Sequence, residues 1–116
     1  MIKNLDQDDH WLCYHSAVGN TKAFFLSLNN AVDDNSVYFN DTSPTSTVFS
    51  LGSTEQGNSS SESHIAYSFA PSQFNAIGSY NGNGNANGVF VPTVNSLGIP
   101  ITPSWIMLKR TDAANA

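Results

Sequence analysis

Apolar residues along this chain fall into short runs separated by polar turns, and almost no run carries helical spacing. The stretch HIAYSFA at 64–70 is the clearest. Ile65, Tyr67 and Phe69 alternate with Ala66, Ser68 and Ala70, the period of two expected of a strand with one face covered. Similar short runs stand at 11–16 (WLCYHS), 36–39 (SVYF), 46–52 (STVFSLG), 74–80 (FNAIGSY), 89–93 (VFVPT) and 105–110 (WIMLKR). The best helical candidate, KAFFLSLNNAV at 22–32, has no clear N-cap and ends in turn formers, so 23–28 reads as a further strand. About eight strands at spacings of roughly 8–15 residues predict an all-β protein, an antiparallel sandwich or barrel with almost no helix. We take the sandwich as the expectation. Its core would be Trp11, Cys13, Phe25, Val37, Phe39, Val48, Phe49, Ile65, Tyr67, Phe69, Ile77, Phe90, Ile106 and Leu108.

The connectors are polar. Asp33, Asp34 and Asn35 read as a hairpin turn, and STEQGNSSSES at 53–63 as an exposed loop. In NSLGIPITPS at 95–104, Pro100 and Pro103 favour extended, non-helical backbone. The most unusual connector is SYNGNGNANGVF at 79–90. A dinucleotide-binding fingerprint would need a third Gly where Asn87 stands, a following helix and a nearby cation. Gly88 comes one residue late, and VFVPT follows as a strand pattern with Pro92. Asn-Gly between β-type runs is instead a hairpin signal, because both residues tolerate positive φ.

Composition narrows the function classes. Four Lys and Arg in 116 residues, against nine Asp and Glu, give a net charge of −5. Phosphate neutralisation needs clustered cations, so no nucleic-acid partner is expected. No run approaches the ~18 apolar residues of a membrane helix, and the N-terminal stretch lacks the layout of a signal peptide. Asn, Ser and Thr make up 38 residues, a polar, uncharged texture common in exposed β-rich proteins. Cys13 stands alone within a strand-like run, which implies a buried, inert thiol rather than a disulfide or metal site.

The two ends echo each other. Aligning Lys3 with Lys109 also matches Met1 with Met107, Ile2 with Leu108, and Asp6 with Asp112. By the letters alone this is either chance or one period of a longer array. Across nearly the whole chain, the segments WLCYHSAVGNTKAFFLSLNNA, YFNDTSPTSTVFSLG, IAYSFA, FNAIGSYNGNGNANGVFV and PSWIMLKRTDAAN resemble a repeated domain of unknown function in large structural proteins of marine bacteriophages. In that family an IKN or LKR strand with a nearby Asp precedes a Trp and a YH strand. Lys3, Asn4, Asp6, Trp11, Tyr14 and His15 stand in that order here, and Lys109, Arg110 and Asp112 begin it again. The resemblance implies a lectin-like, concanavalin-like jelly-roll sandwich. It also implies a virion location in a tail or tail-fibre-like protein, and a single repeat unit over 1–116 cut from a longer chain. It supplies no catalytic set and no cofactor.

Candidate chemistry is sparse. The cluster Asp6, Asp8 and Asp9 offers oxygen ligands for Ca²⁺, but no Gly or Glu completes a binding loop, so a polar turn between two strands is the expectation and Ca²⁺ the weaker alternative. His10, His15 and His64 are the available general bases, and 16 Ser make any formal Ser–His–Asp set uninformative. Glu55 and Glu62 fall in the polar loop rather than on facing strands, so no catalytic residues are expected. A binding role can coexist with the Asn-Gly turn. Asn81, Asn83, Asn85 and Asn87 carry donors and acceptors suited to sugar hydroxyls, and Tyr80 carries a face on which a sugar ring can stack. Trp11 and Trp105 are alternative stacking residues, though both sit in apolar runs that favour the core. The expectation is a non-enzymatic virion module, a spacer or a unit recognising host-surface glycans, partnered by neighbouring repeats or subunits. The alternatives are a small glycan-active hydrolase and a ligand-free spacer.

Overall fold

A computed structural model describes residues 1–112. The chain divides into two compact units, Met1–Ser68 with residues 108–112, and Phe69–Met107.

The first unit is built on a small antiparallel sheet. Its strands are β1 (Ile2–Asn4), β2 (Leu12–Cys13), β3 (Lys22–Phe25), β4 (Asp33–Asp34) and β5 (His64–Ala66), in the order β4-β3-β2-β1-β5. The first four form a meander, and β5 returns from the far end of the unit to pair with β1. The ladder between β1 and β5 sets Asn4 opposite His64 and Ile2 opposite Ala66. Leu5 N–H to Ser63 O and Tyr67 N–H to Met1 O, both 2.8 Å, extend it at either end.

Register decides the core. Ile2 lies opposite Leu12, and Leu12 opposite Phe25, so these three share one face. Ile2, Leu12, Ala23, Tyr38 and Phe39 form the buried cluster, with Tyr14, Phe25, Val37 and Leu51 packed against it. Edge-on ring pairs knit the layer, Phe25 with Tyr38 at 5.7 Å and Tyr14 with Phe39 at 5.5 Å. Cys13 and Phe24, on the opposite face, are also buried.

Several expectations need correction. SVYF is not a strand but a one-turn helix, α1 (Ser36–Phe39). Asn35 caps its start, accepting from Val37 N–H at 3.1 Å. Asn40 ends it in the left-handed region at φ 52°, with its N–H on Ser36 O. Asp33 and Asp34 are not a hairpin turn; they pair with Ala23 and Lys22 as an edge strand. The polar segment 53–63 contains a second short helix, α2 (Glu55–Asn58), and buries Thr54 and Gly57. STVFSLG forms no strand, although Leu51 reaches the core and Gly52 passes against α1.

The second unit holds no named strand or helix. A paired hairpin lies at 93–101, overlapping the end of the VFVPT run and most of the 95–104 stretch read as an extended loop. The hairpin is organised by buried Asn95. The Asn95 carbonyl oxygen of the side chain accepts from Leu97 and Ile99 N–H at 2.9 and 3.0 Å, and its Nδ2 donates to Gln73 O at 3.0 Å. The Asn-Gly stretch does turn, but without strands on its flanks. The runs 74–80, 89–93 and 105–110 are likewise not strands.

The structure therefore supports a mostly-sheet fold, an antiparallel sheet of five short strands with little helix; five strands are formed among the described residues, against about eight expected. Of the expected core, Cys13 and Phe39 are buried, and Trp11, Phe25, Val37 and Ile65 are half-buried. Val48, Phe49, Tyr67, Phe69, Ile77, Phe90, Ile106 and Leu108 are exposed. Alternation marks a stretch able to cover a face; it does not supply the facing element. Among the described residues no helix is long and apolar enough to cross a membrane.

Candidate functional site

Two places gather polar side chains. The first follows from the pairing of β1 with β5, which carries the segment 59–63 against the turn at 5–9. Asn4 ends β1 and is only 1% exposed. Its Nδ2 donates to Glu62 Oε2 at 2.5 Å and to Asp9 Oδ2 at 3.2 Å, and its Oδ1 accepts from Asp6 N–H at 2.9 Å. Gln7 Nε2 donates to the other Glu62 oxygen at 2.7 Å. Ser63 N–H donates to Asp6 Oδ2 at 2.5 Å, and Lys3 Nζ donates to the carbonyls of Gln7 and Asp9 at 3.2 and 2.6 Å. Above this network lies an open depression of about 510 Å³ lined by Gln7, Asp8, Asp9, Glu55, Ser59 and Glu62.

The electrostatics of the depression are specific. Hydrogen bonds from Asn4, then Ser59 and Gln7, hold the Glu62 carboxyl below its ordinary value. Donors aimed at a carboxylate favour its charged form, whereas a general acid in glycoside hydrolysis needs the opposite shift. Of the Ca²⁺ candidates, Asp8 and Asp9 line the depression, while the Asp6 carboxylate is held by the Ser63 backbone. No three His, Cys, Asp or Glu among the described residues are grouped so as to hold a metal ion.

The three histidines do not converge. His10 Nδ1 meets Ser27 Oγ at 3.1 Å and its ring packs edge-on against Phe25. His15 Nδ1 accepts from Ala17 N–H at 3.1 Å. His64 lies beside the carbonyls of Glu62 and Glu55. The Ser27–His10 contact has no carboxylate on the second ring nitrogen among the described residues, so the orienting member of a triad is missing.

The second place is the Asn-Gly loop. Asn83 Nδ2 donates to Gly88 O at 2.5 Å, and Asn83 Oδ1 accepts from Asn85 N–H at 3.0 Å. Asn85 Oδ1 accepts from Asn87 N–H at 3.0 Å, and Gly88 N–H closes the turn on Asn85 O at 2.8 Å. Gly84 and Gly88 take φ of 63° and 65°, values that explain the glycines. Asn83 and Asn85 are thus braces of the loop. The side chains of Asn81 and Asn87 make no hydrogen bond within the described chain, and both are exposed, as is Tyr80, which precedes Asn81. Trp105 is exposed rather than packed, and Trp11 stacks obliquely on Tyr67 at 6.0 Å.

The meeting of Asp9, Glu55 and Glu62 was not legible in the sequence, where the two Glu read as members of an exposed loop. The available signal was Asn4, a polar residue at the in-facing position of an otherwise apolar alternation.

Neither a curated protein nor a solved structure matches the chain. A family model does, over residues 1–116. The chain belongs to that family, the DUF7483 domain of unknown function.

Proposed function

We propose that this chain is a non-enzymatic structural module of a phage virion, tail or tail-fibre-like, serving as a spacer or as a host-surface glycan-recognition unit. Its partners are neighbouring repeats or subunits of the same virion protein. The reading rests on the resemblance of its segments to repeated phage domains. The observation that carries recognition is the braced Asn-Gly loop. Asn83 and Asn85 fix its backbone, and Asn81 and Asn87 present unpaired side-chain amides in the same loop as exposed Tyr80. A pre-formed loop loses little freedom on binding, and weak single contacts gain strength by repetition along a fibre.

A glycan array probed with a multivalent display of the chain tests recognition. Binding that falls at least tenfold in an Asn81→Ala, Asn87→Ala variant supports it. No binding above background to any host-derived glycan leaves the spacer role alone. Mass spectrometry of purified particles tests the virion location.

One observation favours a second reading, a small glycan-active hydrolase: Asp9 and Glu62 share the Asn4 amide at the rim of a depression. Against it, Glu62 is held in its charged form. Release of reducing sugar from host polysaccharide, abolished by Glu62→Gln, would establish this reading over the first.

A further inference from the structure

Residues 69–107 contain no Asp, Glu, Lys, Arg or His; every side chain charged at neutral pH lies outside them. The same residues expose their apolar side chains. Phe90 is 93% exposed, Phe74 78% and Trp105 72%, with Leu97, Ile99 and Ile106 also exposed. Their backbone is equally unsatisfied. Residues 76–84, 89–92 and 102–107 make no backbone–backbone hydrogen bond among the described residues.

We propose that segment 69–107 is an association surface whose occupant is the same segment of a second copy of this chain. Three arguments select that occupant. Depletion of charge with enrichment of aromatics is the composition of an interface core. A charge-free surface offers nothing to a basic or acidic partner, but meets itself with no like-charge penalty. The rest of the chain carries the whole net charge of −5 and repels its counterpart. Open backbone at 76–84, 89–92 and 102–107 allows strand pairing between the copies, a route by which unpaired edges are satisfied. The surface does not rest on the virion location; it shares residues 80–87 with the glycan-binding loop, and the glycan array and sedimentation report on the two readings separately.

Sedimentation velocity of the purified chain from about 1 to about 100 µM tests it. The expected result is a dimer or higher oligomer that becomes monomeric in Phe90→Asp and in Trp105→Asp, while far-ultraviolet circular dichroism and the shielding of Cys13 from thiol reagents stay unchanged. Hydrogen exchange supplies a variant-free reading: amides at 76–84 and 102–107 gain protection as concentration rises. A wild-type chain that is monomeric throughout, with concentration-independent exchange, overturns the proposal. So does a monomer that floats with phosphatidylcholine vesicles, which would assign the surface to lipid.

Discussion

The Asn4 side-chain amide and the Glu62 carboxylate, 58 positions apart, are joined at 2.5 Å. The bond ties the end of β1 to the segment entering β5, so it locks the one long-range pairing of the sheet. Asn4→Ala removes this link together with the bonds to Asp9 and to the Asp6 backbone. The expected loss is about 1–2 kcal/mol for the buried amide, read as a lower urea midpoint at pH 7.

Acid sensitivity follows from the same pair. Glu62 titrates below its ordinary 4.5 when folded. Its contribution is present above the unfolded value and is lost as pH falls through the folded one. The acid limb of the melting temperature should therefore be flatter in Asn4→Ala than in the parent chain. Parallel limbs would disconnect Glu62 from stability.

Tyr38 shows the opposite sign. Burial, then the hydrogen bond to Asp33 Oδ2 at 2.6 Å and its charge, push the phenol up to about 12. A raised folded value means stability held below the unfolded value near ~10 and lost as pH rises through about 12. Absorbance at alkaline pH should show a late tyrosine ionisation that vanishes in Tyr38→Phe. That variant should lose about 1 kcal/mol at neutral pH.

Gly52 lies where β-carbon and backbone collide. An added Cβ would sit 2.3 Å from Val37 O and 2.6 Å from Ser36 O. The close approach lets Gly52 N–H reach Tyr38 O and Thr54 N–H reach Val37 O, both at 2.9 Å. Gly52→Ala must move backbone rather than a flexible side chain, so a loss of about 1–3 kcal/mol is expected. An unchanged thermal midpoint would show that α1 can slide away.

The parts of the fold legible in the sequence are those whose partners lie close along the chain. WLC and KAFF were readable as strands because each is apolar and β-rich and the two pair as neighbours in a meander. SVYF misled because four residues cannot separate a period of two from one of 3.6; the bracketing Asn35 and Asn40 were the informative letters. Asn95 was hidden for a similar reason. Its role is set by backbone it gathers from Gln73 to Ile99, not by its neighbours' composition. The depression at Asn4 was illegible because β5 returns from the far side of the first unit, and no local pattern announces that pairing. In 69–107 the runs read as strands form none, because a strand exists only when something pairs with it.

The segregation of charge has a colloidal consequence. The chain resembles a block copolymer with one charged block and one that carries no charge at neutral or acid pH. Its solubility rests entirely on carboxylates outside 69–107, and near the isoelectric point of about 4.7 that protection disappears. Mild acidification should then act as a phase switch, turning a dispersed chain into a cohesive one before its sheet has unfolded.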